Sequence, residues 1–129
     1  MQLTARRSQT MNLKQIREMS DNICNYRVRI ATLEAEVTHI TSNITAANGA
    51  SASGSIDKIV PQIADLRNEL HNTEKRRAVA ICSIPAETTE GSCLILHLRD
   101  KRSWKEIAFI MGGGNTEDGV RMMCNRYEW

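Results

Sequence analysis

The chain has 129 residues, room for one or two small domains. Aromatic residues make up 4%, there are only two prolines and regular β signals are sparse, so an all-α class is expected; 41% apolar and 25% charged residues are ordinary for a soluble protein. A net charge of +2 permits nucleic-acid binding without arguing for it, because dedicated binders carry a clear basic excess.

Residues 1–11 are polar, with Arg6 and Arg7 side by side. They read as a flexible arm, or as an arm whose arginines touch phosphates or a minor groove. The first fifteen residues have no apolar core that could serve as a signal peptide, and no run approaches the ~20 apolar residues needed to cross a bilayer. The expectation is an intracellular, cytoplasmic protein without a membrane partner.

From Leu13 the apolar pattern becomes regular. Leu13, Ile16, Met19, Ile23, Tyr26, Ile30, Leu33, Val37, Ile40 and Ile44 recur at alternating spacings of three and four, with polar residues between them. That is a near-heptad seam, too narrow for a helix buried on all sides and suited to a long helix zipped to one or two partners. Residues 46–55, Ala-Ala-Asn-Gly-Ala-Ser-Ala-Ser-Gly-Ser, then read as a loop, since their side chains favour turns and bury little.

A second seam follows through Ile56, Ile59 or Val60, Ile63, Leu66, Leu70, Thr73, Arg77, Ala80 or Ile81, and Ile84. Ser55 or Val60 marks its start. Pro61 is read in the first turn, where a missing N–H is harmless, and whether residues 56–60 are already helical stays open. Pro85 ends the helix, because the residue before a proline avoids helical geometry. Two seams joined by a flexible loop predict a long antiparallel, coiled-coil-like hairpin over residues 12–84. Alone it would bury little, so it is expected to pack on the C-terminal unit, on another subunit, or on both. Its densest basic cluster follows Glu74: Lys75, Arg76 and Arg77 read as a solvated face with i,i+4 pairing or as phosphate contacts, chiefly through Lys75 and Arg76.

Residues 86–129 predict three further helices, at about 90–99, 103–111 and 116–127. Thr88 or Thr89 caps the first, and Leu94, Ile95 and Leu98 supply its core. Asp100-Lys101-Arg102 forms the turn into Ser103. Ser103 and Glu106 make a capping box, each side chain serving a free backbone N–H at the helix start. Trp104, Ile107, Ala108 and Met111 then form one apolar face. Gly112, Gly113 and Gly114 stop that helix. Asn115 or Thr116 caps the next, whose inner stripe is Val120, Met123 and Tyr127. A short helix, a glycine turn and a second helix form the unit used to read double-stranded DNA. The helix from Thr116 would enter the major groove, with Asn115, Thr116, Glu117, Arg121 and Asn125 facing solvent. Arg121 is the best match to a guanine, since its fork fits two acceptors. Arg102, Ser103 and Lys105 would touch phosphates, while Trp104 belongs to the core.

Cys24, Cys82, Cys93 and Cys124 form no CxxC pair, and His39, His71 and His97 are scattered, so no metal or redox site is expected. The cysteines read as buried or half-buried free thiols in a reducing cytosol. Clustered carboxylates, a nucleophile–base pair and a P-loop are all absent from the pattern; the triple glycine lacks the strand and the Gly-Lys-Ser/Thr of a nucleotide site. Neither an enzyme nor a cofactor is expected.

The run from Leu94 through Arg99, Ser103, Trp104, Lys105, Glu106, Ile107 and Ala108 resembles the Ser-Trp-x-Glu-Ile-Ala segment of sigma-factor C-terminal domains and their phage relatives. The layout over about residues 13–127 also resembles small phage and prophage proteins of Gram-positive bacteria. These have a helical N-terminal half, a Gly/Ser-rich break, a segment like Asp57-Lys58-Ile59, a helix like Ile63 to Leu70, and then the sigma-like domain. They are grouped with late-gene transcriptional activators of the RinA and ArpU type. The resemblance implies a DNA-binding transcriptional regulator in a bacterial host cell, self-associating or docking through its hairpin, with host RNA polymerase among its partners. Two other readings stand beside it: a phage factor that inhibits or redirects a host machine through protein contacts, and a small DNA-packaging subunit.

The pattern departs from that family in three ways. The usual spacing after Ala108 and Gly112 puts Asp118 and Arg121 at buried positions; a two-residue insertion at Gly113 and Gly114 moves those positions to Val120 and Met123. The reading helix opens on Glu117 and Asp118, which suit the helix dipole but repel phosphates. Residues 86–129 hold six Lys/Arg against seven Asp/Glu, so the unit is not basic.

Overall fold

The computed structural model describes residues 10–47 and 53–129. Among them are five helices and no strand: α1 (Leu13–Ala47), α2 (Ser53–Cys82), α3 (Thr89–Leu98), α4 (Trp104–Met111) and α5 (Glu117–Arg126). The all-α expectation holds. None of these helices is long and apolar enough to cross a membrane.

Helix α1 has 35 residues, about 50 Å at 1.5 Å per residue. The break predicted at 46–55 is narrower than its composition suggested, since α1 continues through Ala47 and α2 is helical from Ser53. Ala46 and Ala47 are strong helix formers and extend α1 into the Gly/Ser-rich stretch. Residues 48–52 lie outside the described residues. Pro61 is therefore inside α2 and not in its first turn. Its missing N–H leaves the Asp57 carbonyl without the usual donor. Pro61 is exposed, on the side where water can take that carbonyl. One residue on, the Gln62 side chain donates to the Lys58 carbonyl at 3.2 Å.

The described chain divides into two compact units. One is Met19–Lys75. Along α1 its seam positions Met19, Ile23, Tyr26, Ile30, Leu33, Val37 and Ile40 are buried or half-buried, and nearly everything between them is exposed. Along α2 the same holds for Ile56, Ile59, Ile63, Leu66, Leu70 and Thr73, while Val60, the alternative to Ile59, is exposed. Alternation of three and four residues keeps one stripe inward on a helix of 3.6 residues per turn. Two ion pairs join the helices, Arg27 with Glu74 at 2.6 Å and Glu34 with Arg67. Partner numbers fall along α2 as they rise along α1. Both pairs are solvent-exposed, so each is worth about 0–1 kcal/mol and fixes register more than stability.

The other unit comprises the described residues up to Glu18 together with Arg76–Trp129. Its core is Leu13, Ile84, Cys93, Leu94, Trp104, Ile107, Ala108, Val120 and Cys124. Each fully buried aliphatic side chain contributes about 1.5–3 kcal/mol relative to exposure. Leu13 lies in this core beside residues about a hundred positions later, so the first turn of α1 packs with α3, α4 and α5.

Local signals set the helix starts. Asn12 and Gln15 form a reciprocal cap on α1: Gln15 N–H donates to Asn12 Oδ1 at 3.0 Å and Asn12 N–H to Gln15 Oε1 at 2.9 Å. Thr88, not Thr89, caps α3 by accepting from Gly91 N–H at 2.9 Å. Gly91 is buried there, and a Cβ on it would stand 1.7 Å from the Pro85 carbonyl oxygen. The capping box at Ser103 and Glu106 is present in both directions. Thr116, not Asn115, caps α5 through Gly119 N–H. Gly112, Gly113 and Gly114 all have positive φ, at 65°, 63° and 79°, the left-handed region that glycine enters without strain.

The last residues are held by the same unit. Met11 and Trp129 exchange backbone hydrogen bonds of 2.7 and 2.9 Å, a short antiparallel bridge. Trp129 Nε1–H lies 3.1 Å from the Ala80 carbonyl and 3.2 Å from Ser83 Oγ. The Tyr127 hydroxyl meets the Thr88 hydroxyl at 3.1 Å.

Candidate functional site

Across the glycine turn α4 and α5 pack against each other and against α3, sharing the core residues Ile107, Ala108, Val120 and Cys124. Val120 is buried and Met123 half-buried, while Asp118 and Arg121 are exposed. Val120 and Met123, not Asp118 and Arg121, thus form the inner stripe of α5.

The residues expected to read DNA fall into two groups on this unit. Arg102, Ser103 and Lys105 surround the start of α4, and all three are exposed. The Ser103 hydroxyl accepts from Glu106 N–H at 3.1 Å, and Glu106 accepts from Ser103 N–H at 3.1 Å. Arg102 reaches the Glu106 carboxylate at 3.2 Å. The Ser103 backbone donor, followed by the Arg102 side chain, holds the Glu106 carboxyl below the usual carboxylate range. Lys105 makes no ion pair among the described residues.

Asn115, Thr116, Arg121 and Asn125 form the second group, at the start and along the exposed side of α5. Three of the four already have intramolecular partners. Asn115 Nδ2–H donates to the Gly112 carbonyl at 2.6 Å, the Thr116 hydroxyl caps the helix, and Arg121 pairs with Asp118 at 3.0 Å. Asn125 is exposed two turns from the cap. Glu117 and Asp118 occupy the first turn, where the helix dipole favours them.

Of the remaining phosphate candidates, Lys75 and Arg76 lie on α2. Lys75 belongs to the Met19–Lys75 unit, where it is exposed next to the ion-paired Glu74. Arg76 is exposed on α2 and Arg77 half-buried. Arg6 and Arg7, in the expected arm 1–11, lie outside the described residues.

Comparison with protein-family models, with curated proteins and with solved structures gives no match. The functional reading therefore stands on the residues themselves.

Several features of the site region were not anticipated. His97 stacks on Trp104 with ring centroids 3.7 Å apart, and its Nδ1–H donates to the Arg102 carbonyl at 2.9 Å. That contact fixes the turn into α4 from its inner side. Phe109 is 89% exposed and Ile110 57% exposed, next to each other on the outside of α4. The sequence held this signal: once Trp104, Ile107, Ala108 and Met111 face inward, positions 109 and 110 must face out. The cysteines also divide. Cys93 and Cys124 are buried as expected, but Cys24 and Cys82 are exposed. Both of the latter lie off the inner stripe of their helices. Burial pushes the Cys124 thiol up to about 12, with Cys93 adding to the shift. Burial raises Cys93 as well, and its hydrogen bond with Cys124 partly offsets this. These two thiols are packed, unreactive core groups; Cys93 Sγ–H contacts Met111 Sδ at 3.4 Å.

Proposed function

We propose that the chain is a phage-type transcriptional regulator, with residues from Ser103 to Tyr127 acting as a sigma-like helix-turn-helix unit on double-stranded DNA. The observation that carries this is α4 and α5 sharing one core across the glycine turn, with Arg121 and Asn125 left on the open side of α5. A helix with its inner stripe so anchored can offer that side to a major groove, and Arg121 has the geometry to grip a guanine. Arg102 and Lys105, at the start of α4, then serve as phosphate contacts.

In the same proposal α1 and α2 form an antiparallel, coiled-coil-like hairpin used for self-association or docking. The crossing pairs Arg27–Glu74 and Glu34–Arg67 support it, as do the matching one-sided stripes. The setting is the cytoplasm of a bacterial host, with RNA polymerase as the natural protein partner of such a regulator.

Fluorescence anisotropy tests the reading. Duplexes tiled across the DNA flanking the gene are titrated with protein at near-physiological salt. One duplex should bind at least tenfold tighter than the rest, and Arg121→Ala should remove most of that preference. Equal, weak binding to every duplex at micromolar protein would refute DNA reading.

A second reading has its own support. The carboxylates of Glu117 and Asp118 and the solvent-facing Phe109 favour a factor that acts through protein contacts, inhibiting or redirecting a host machine. Light scattering separates both readings from a small DNA-packaging subunit: a dimer fits a regulator, and a ring of many copies fits a packaging component.

A further inference from the structure

We propose that the outer face of α4 is a docking site for a short acidic, apolar segment of another protein, anchored on Phe109 and Ile110 and steered by Lys105. Three observations carry this, and none depends on whether α5 reads DNA.

First, Phe109 is the only phenylalanine of the chain, and it stands 89% exposed. Ile110 beside it is 57% exposed. The buried stripe of α4 is already complete without either, so neither residue serves the core. Scattered apolar side chains are ordinary on a surface, but here an aromatic and an aliphatic side chain stand side by side, and single aromatic anchors of this kind carry much of the binding energy at interfaces.

Second, these side chains line a shallow depression together with Arg102, Lys105 and Glu106. Its charged lining is unequal. Glu106 is consumed by the Ser103 N–H and by Arg102, whereas Lys105 has no ion-pair partner among the described residues. The depression therefore presents apolar surface with one uncompensated cation, which an acidic amphipathic segment complements.

Third, the patch is small. Two exposed side chains fall far short of the roughly 800 Å² per partner that a stable protein–protein interface buries. A second copy of this chain docked only here would not be held, whereas a short peptide seated on an aromatic anchor needs no more area. Nucleic acid fits less well, because Ile110 offers phosphates and sugars nothing. Arg102 and Lys105 are also the proposed phosphate contacts, so a docked segment and DNA would exclude each other at the start of α4.

The test uses the full chain, isotopically labelled, and a synthetic twelve-residue peptide of Asp, Glu, Leu and Trp, followed by amide chemical-shift mapping. The proposal expects saturable shifts centred on residues 105–110. Phe109→Ser should weaken binding at least tenfold and Lys105→Glu several-fold; both positions are exposed, and unchanged circular dichroism would confirm that the variants fold. A control peptide with Lys in place of each acid should not bind. The proposal is overturned by the absence of saturable shifts at millimolar peptide, by equal binding of the basic control, or by a single-stranded oligonucleotide that shifts the same amides at lower concentration. It is likewise overturned by sedimentation showing a dimer that Phe109→Ser dissolves, since the face would then be covered by a second copy.

Discussion

The Arg121 guanidinium lies 3.0 Å from the Asp118 carboxylate, one turn earlier on the same exposed side of α5. The residue proposed to grip a base is thus held by an acid that would itself oppose DNA. An exposed pair three residues apart is weak, so it restrains Arg121 without locking it. Replacing the acid should free the cation and remove a repulsive charge. If α5 reads DNA, Asp118→Asn will tighten binding about three- to tenfold at low salt and steepen its salt dependence, while Arg121→Ala will weaken binding by about 1–3 kcal/mol at the preferred duplex. Anisotropy titrations at several salt concentrations measure both. If the two variants bind alike, α5 is not the reading helix.

The capping box at Ser103 and Glu106 joins the fold to pH. Ser103→Ala removes one half of the box and should cost about 1 kcal/mol of stability. The folded state lowers the Glu106 pKa, chiefly through the Ser103 N–H, so the ionised carboxylate is the stabilising form. Its contribution is fully present above the unfolded carboxylate pKa and is lost as pH falls through the lower, folded value. Thermal melts of the native chain and of Glu106→Gln should therefore differ at neutral pH and converge on acidification. A gap between them that widened toward acid would contradict this assignment.

Gly91 should be the least replaceable glycine. A methyl there would overlap the Pro85 carbonyl, which is backbone and cannot swing aside. Gly91→Ala is expected to destabilise by roughly 3 kcal/mol or more, near the upper end for point changes. Gly119→Ala makes the informative contrast. Its Cβ would meet Thr116 Oγ1 at 3.0 Å, a tight contact opposing about 1 kcal/mol of gained helix propensity. Urea unfolding of the two variants should show a large loss for the first and a small change for the second.

Thiol chemistry gives a direct reading of the core. Cys24 and Cys82 are exposed, whereas Cys93 and Cys124 are buried and their thiolates are disfavoured. An aromatic disulfide reagent at pH 8 should label two thiols rapidly in the native protein and the other two only after denaturant is added. Rapid labelling of all four would mean that α3 and α5 open readily.

Much of this architecture was legible because it rests on local rules. The alternating stripe from Leu13 to Ile40, the box at Ser103 and Glu106, and the stop at Gly112 each follow from spacing or from one residue's backbone freedom. The start of α2 was less legible. Gly54 and Pro61 both argue against a helix, yet α2 runs through them, because one proline on the water side of a long packed helix can be accommodated. The cap on α1 was written in Asn12 and Gln15 but is easily missed beside a stronger apolar pattern. The Trp129 indole on the Ala80 carbonyl and the Met11–Trp129 bridge had no local signal at all, since nothing in either segment names its distant partner. Among the candidate site residues, exposure followed from helical phase. The occupation of Asn115, Thr116 and Arg121 by neighbours did not, because short polar side chains choose among several nearby groups that spacing alone does not rank.

The bridge between Met11 and Trp129 has a consequence for how the molecule is made. Helices α3 to α5 contact one another over short stretches of chain and can assemble quickly, but Leu13 can take its place among them only after they exist. Closing so long a loop carries an entropic penalty of about 4 kcal/mol. During synthesis Leu13 therefore emerges early and waits uncovered until α3, α4 and α5 have been made. Refolding should show the same order: a fast phase in which the C-terminal helices form, then a slower one in which tryptophan fluorescence reports Trp129 docking against the beginning of the chain.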